Sequence, residues 1–167
     1  MTLRVPLLFR IAALVAGTTA LYAYIGQLVP QKEVQPPQVI ELPDDLTTQD
    51  MIPIGAQIFQ GKGLCSTCHT IGKGGSAGLR FPDLDGIGSR AATRIEGLSD
   101  VEYLGQSLYE PDVFVVPGFN PGMPVMNKPP LELTDQEILA VIAYLQSLGG
   151  APSVTMQTEL RWAAGGS

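Results

Sequence analysis

Four stretches of the chain carry apolar residues at a helical rhythm. The first, IAALVAGTTALYAYIGQLV (11–29), has 19 residues and no charge. At about 1.5 Å per residue it reaches roughly 28 Å, close to the ~30 Å hydrocarbon core of a bilayer. The second, TTQDMIPIGAQIFQGKG (47–63), predicts a helix capped by Thr48 or Asp50, with Pro53 in its first turn. Ile54, Ile58 and Phe59 share one face, Gly55 leaves room for a neighbour, and Gly61 and Gly63 end it. In the third, SDVEYLGQSLYEP (99–111), Ser99 and Glu102 form a capping box and Pro111 stops the helix. The fourth, TDQEILAVIAYLQSLGG (134–150), has the box Thr134/Glu137, the stripe Ile138, Val141, Ile142, Leu145, Leu148, and the terminator Gly149.

No stretch alternates as a half-buried strand would, so the fold class is all-α. The organisation predicted is an anchor at 1–29, a tether at 30–46, a domain at 47–150 and a tail at 151–167. The tether, PQKEVQPPQVIELPDD at its core, has four prolines in sixteen residues and reads as extended. GKGGSAG (72–78) follows no strand and reads as a loop rather than a phosphate cradle. The tail has no strong helix signal, and Trp162 beside Arg161 docks on a partner or on the domain itself. Short helices joined by long loops are costly, because each ordered loop residue loses about 1–2 kcal/mol of backbone entropy. A large apolar cofactor would supply the missing core and add stability by linkage.

Charge sharpens the picture. Arg4 and Arg10 precede or open the apolar run, and residues 1–30 contain no acid. The other 8 basic and 16 acidic residues lie in 31–167, a net of −8 on the body. By the positive-inside rule the N-terminus stays cytoplasmic and the body is exported. A cleaved signal peptide fits less well: Thr18-x-Ala20 is a poor cleavage site, and the apolar run continues through Val29. An acidic body also argues against nucleic acid, which needs clustered Lys and Arg.

The chemistry is concentrated in GLCSTCHTIG (63–72), which holds both cysteines and the lone histidine: Cys65, Cys68 and His69. Structural zinc needs four protein ligands, and three are present. A thioredoxin-like dithiol needs a βαβ setting, which is missing. Covalent haem fits every residue. Two thiols three positions apart can add to two vinyl groups on one porphyrin edge, and the next residue brings an imidazole under the iron.

GAQIFQGKGLCSTCHTIG, FPDLDGIGSR (81–90) and LTDQEILAVIAYLQSL (133–148) together resemble a class I cytochrome c: its first helix and haem motif, its Pro-Asp-Leu loop and its last helix. The resemblance covers about 100 of the 167 residues. It implies a small all-α fold wrapped round one covalently attached haem c, its iron held by His69, here preceded by a single transmembrane helix. It further implies that the first and last helices cross, Gly55 and Phe59 meeting Tyr144, and that the Pro82 carbonyl accepts a hydrogen bond from His69 Nδ1.

The sixth iron ligand is a methionine by the same resemblance, in VPGFNPGMPVMNKPP before the last helix. Met123, followed by Pro124, is preferred, with Met126 the alternate. Met51 lies on the first helix and Met156 in the tail. Arg90 is a candidate partner for a haem propionate; Arg94, Tyr103 and Trp162 are weaker ones.

These readings describe a monohaem electron carrier, not an enzyme by itself, single-pass in the bacterial inner membrane with its haem domain on the periplasmic side. Its partners are the bilayer, the subunits of a membrane electron-transport complex and an electron acceptor, soluble or membrane-bound. The arrangement resembles the monohaem cytochrome subunit of alternative complex III, a quinol-oxidising assembly; oxidase-associated and photosynthetic donor cytochromes look similar. The alternative is a haem c peroxidase or gas sensor with an open iron site.

Overall fold

The computed structural model describes residues 6–30, 42–72 and 80–163, and the chain divides into two compact units between Gln38 and Val39. The first unit holds helix α1, Leu7–Leu28, 22 residues long and apolar enough to cross a membrane. It starts four residues ahead of the uncharged run, so Arg10 lies in its first turn. Leu7, Leu8 and Phe9 are apolar helix formers that extend the helix back to Pro6, whose carbonyl accepts from Phe9 and Arg10. The Thr18 hydroxyl bonds back to the Leu14 carbonyl at 2.9 Å, the internal satisfaction that a helix in lipid requires. Arg4 and most of the tether, 31–41, fall outside the described residues.

The second unit is built from α2 (Thr48–Gln60), α3 (Ile87–Arg90), α4 (Asp100–Tyr109) and α5 (Asp135–Ser147), with 3-10 turns at Cys65–Thr67 and Ala91–Thr93. Among the described residues there is no strand. All three longer helices open on a capping box, Thr47/Asp50, Ser99/Glu102 and Thr134/Glu137. The cap of α2 is therefore Thr47, one residue ahead of the expected Thr48, with Asp50 as its reciprocal partner. Pro53 consequently falls inside the helix rather than in its first turn, on the exposed side where one lost intrahelical bond is tolerated.

The core is the crossing of α2 and α5. Gly55 makes it possible: a Cβ there would stand 2.0 Å from the Ala140 carbonyl oxygen and 2.8 Å from Tyr144 Cβ. One turn on, the Phe59 and Tyr144 rings meet edge to face with centroids 5.4 Å apart. Met51, Ile58, Ile138, Val141 and Ile142 fill the space around this contact and are buried almost completely. A second close approach sets α3 on the end of α5. Gly88 donates its N–H to the Leu148 carbonyl at 2.9 Å, and a Cβ on it would stand 1.9 Å from the Gln146 oxygen.

Packing reaches past both expected domain ends. Leu42, in the tether by sequence, is buried. The tail docks on the domain itself, as a strap. Gln146 on α5 accepts from the Ser153 and Val154 amides, Val154 and Leu160 are buried, and Trp162 lies against Gly105 of α4.

Candidate haem-binding site

The C-terminal end of α2 sets the C-x-x-C-H turn. The Gly61 and Gly63 amides close the helix on the Gln57 and Ile58 carbonyls at 2.8 Å each. Leu64 then takes a left-handed conformation, φ 52°, which turns the chain into the 3-10 segment. The Cys68 and His69 amides both bond to the Cys65 carbonyl, at 3.1 and 2.8 Å. One helical turn thereby brings positions 65, 68 and 69 to neighbouring places on its surface. Cys65 is buried and Cys68 exposed. Burial pushes the Cys65 thiol up to about 11, so it stays protonated at neutral pH. A reactive redox dithiol needs the opposite shift.

His69 Nδ1 lies 2.9 Å from the Pro82 carbonyl. A carbonyl only accepts, so Nδ1 carries the proton and Nε2 keeps its lone pair free for a metal. The loop holding Pro82 is braced by Asp83, the acid of the Pro-Asp-Leu motif, whose role the motif alone does not give. Its buried carboxylate accepts from the Thr70 hydroxyl at 2.6 Å, the Asp85 amide at 2.8 Å and the Gly72 amide at 3.2 Å. Arg90 braces the same loop from the other side, donating to the Asp83 carbonyl at 2.8 Å and to the Asp85 carbonyl. Two of its five N–H donors are thus occupied within the protein.

Cys65, His69, Pro82, Arg90 and Met123 all line one cavity, open to solvent at its mouth. Its walls are largely apolar, with Phe59, Leu104, Leu108, Phe114 and Val141 prominent. Met126 is absent from that wall. It is buried in the core, its amide bonded to the Leu108 carbonyl and its carbonyl to the Leu133 amide. Tyr103 and Arg94 line the cavity too, whereas Trp162 does not. Met51 is fully buried on α2 and Met156 packs against the core.

The fit of a haem can be tested on these residues. A flat apolar ring with two carboxylates needs an apolar slot, an imidazole, two thiols and an anion partner. The slot, the imidazole and the Cys65 thiol meet at the cavity, and the exposed Cys68 thiol lies on the same turn of chain, outside the lining. Arg94 supplies the last: its Nε is buried with no hydrogen-bond partner among the described residues. A buried donor without an acceptor costs about 1–3 kcal/mol, and a carboxylate entering the cavity would relieve it.

A helical domain closed round such a cavity, with two thiols and an imidazole on one turn of chain, defines a haem-wrapping electron carrier. The chain belongs to the cytochrome c family, whose model matches residues 52–149, more than half its length. Proteins of this family bind haem c covalently and act in electron transfer. No curated protein matches the chain.

Proposed function

We propose that the chain is a membrane-anchored monohaem cytochrome c that passes single electrons on the periplasmic face as a subunit of a quinol-oxidising complex. The observation that carries the haem reading is the His69–Pro82 bond beside a cavity that Cys65 and Met123 also line. Cys65 and Cys68 would hold the porphyrin edge, His69 Nε2 and the Met123 sulfur the iron, and Arg90 and Arg94 the carboxylates. The bound group supplies a one-electron ferrous–ferric couple. Within the chain, Pro82 fixes the imidazole plane, and the apolar walls exclude water and so favour the less charged ferrous state.

The placement rests on α1 and on charge. A 22-residue apolar helix with Arg10 at its start and an acidic body beyond supports a single span with the haem domain outside. A net of −8 on residues 31–167 suits a partner with a basic surface, in a salt-sensitive encounter.

Haem staining of the boiled, SDS-treated polypeptide tests the covalent link; one haem per chain is expected, and an unstained band overturns the reading. Purification in mild detergent tests the complex. Recovery with quinol-oxidising subunits is expected, and recovery of the chain alone from intact membranes overturns that part.

A further inference from the structure

We propose that the C-terminal strap is a positioning device for the Met123 loop and acts on it through α4. The proposal rests on the reading of Met123 as the iron ligand. The loop is fastened at both ends to the last turn of α4. It leaves at Glu110, whose carbonyl accepts the Val113 amide at 3.1 Å, and returns at Met126, whose amide donates to the Leu108 carbonyl at 2.9 Å. Between those points its backbone bonds are local, such as Phe119 to Val116. The loop therefore takes its position from the end of α4.

The strap holds that same end from outside. Trp162 Nε1 donates to Glu110 Oε2 at 2.9 Å. Its ring lies so close to the helix that a Cβ on Gly105 would be 3.1 Å from the indole and 3.3 Å from Leu160 Cδ2. Arg161 pairs with Glu102, two turns back along α4. The strap is in turn moored to α5, because buried Gln146 accepts from the Ser153 and Val154 amides at 3.1 and 3.2 Å. Thr48 on α2 adds a bond to the Val154 carbonyl at 2.8 Å. Tyr103, Leu104 and Leu108 of α4 line the cavity, so the helix is clamped between cavity and strap.

The physical need is plain. A thioether sulfur is a weak ligand, and it stays on the iron only if its loop is already in place. The strap lies beyond residue 149, where the family match ends, so this support is an addition to the matched domain.

The test uses full-length protein in detergent with its haem attached. Trp162→Ala removes both packing and the indole N–H; Trp162→Phe keeps a ring and removes only the N–H to Glu110. Two readouts are taken: displacement of methionine by added imidazole, followed through the far-red thioether-to-ferric band, and amide exchange over 111–125. Imidazole is expected to bind about fivefold tighter or more in Trp162→Ala, with faster exchange over 111–125 and a smaller effect in Trp162→Phe. Imidazole affinity and exchange unchanged within about twofold in both variants would overturn the proposal. If the wild-type protein lacks the band, it is the Met123 reading that has failed, and exchange over 111–125 still decides whether the strap holds the loop.

Discussion

Lys62 Nζ stands 2.6 Å from Glu137 Oε2, tying the chain just ahead of the C-x-x-C-H turn to the first turn of α5. The Glu137 side chain is wholly buried, and the same oxygen accepts the Thr134 amide at 2.8 Å to complete the α5 capping box. Its other oxygen is buried without a partner among the described residues. The carboxylate thus depends on one ammonium for its charge balance. Lys62→Met is expected to cost about 3–5 kcal/mol, because a buried charge is left uncompensated. The double variant Lys62→Met/Glu137→Gln should recover part of that loss. Denaturant midpoints measure both, and a single variant as stable as the wild type would contradict the dependence.

The helix crossing makes a sharper prediction. Ala at 55 puts a methyl 2.0 Å from a backbone oxygen of α5, an overlap that rotamer change cannot relieve. Gly55→Ala should lower stability by about 3 kcal/mol or more. Gly88→Ala, 1.9 Å from the Gln146 oxygen, should do the same. Gly17→Ala in α1, which meets nothing within 4 Å, is the control and should leave the melting temperature of the haem domain unchanged.

The two methionines before α5 should separate cleanly. Met123→Leu should abolish the thioether-to-ferric band and let carbon monoxide or cyanide bind readily. Met126→Leu should keep the band, its cost being a volume-conserving core swap of under about 1.5 kcal/mol. A band that survives Met123→Leu and vanishes in Met126→Leu would reverse the assignment.

Arg94 should tune the haem. Removing a positive charge from the cavity wall would favour the ferric state of a bound haem, so Arg94→Gln is expected to lower the midpoint potential by some tens of millivolts, where ~59 mV is tenfold for one electron. Arg90→Gln should also loosen the loop that holds Pro82, and so reduce stability more than Arg94→Gln does. Redox titration and thermal melts on the two variants distinguish the roles; equal potentials in wild type and Arg94→Gln would remove Arg94 from the site.

Acid should expose the helix caps. The Thr47 hydroxyl, then its amide, hold Asp50 below the usual carboxylate range, and the Ser99 amide and hydroxyl, then Arg161, do so for Glu102. A carboxyl with a lowered folded-state pKa stabilises above its unfolded pKa and stops doing so as pH falls through the folded value. Melting temperature should therefore hold from neutrality down to about pH 4 and decline below it. The decline should be shallower in Asp50→Asn/Glu102→Gln, and curves of identical shape would contradict this origin.

Much of this architecture was legible because it is written in local signals. The boxes Ser99/Glu102 and Thr134/Glu137 are spaced by helix geometry, and C-x-x-C-H is contiguous. The α2 cap falls on Thr47 rather than on Thr48 or Asp50, because the two threonines are adjacent and chemically alike and Asp50 serves as the box partner. The short helix at 87–90 went unseen because four residues carry no period. Asp83 reads as one more turn residue until Thr70, Gly72 and Asp85 are seen to converge on it. The strap was the least readable element. Gln146 pairs with Ser153 and Val154, and Trp162 with Glu110, through side-chain hydrogen bonds that no periodicity announces. Met123 and Met126 share one Pro-rich stretch, and no periodicity announces that Met123 alone of the two lines the cavity wall.

The tie between Lys62 and Glu137 spans 75 positions of sequence. A chain that emerges N-terminus first offers its two thiols before α5 exists, and Cys68 stays exposed after α5 has packed. Cys65 is buried in the folded domain, so the unfolded chain presents its thiol more freely than the folded one.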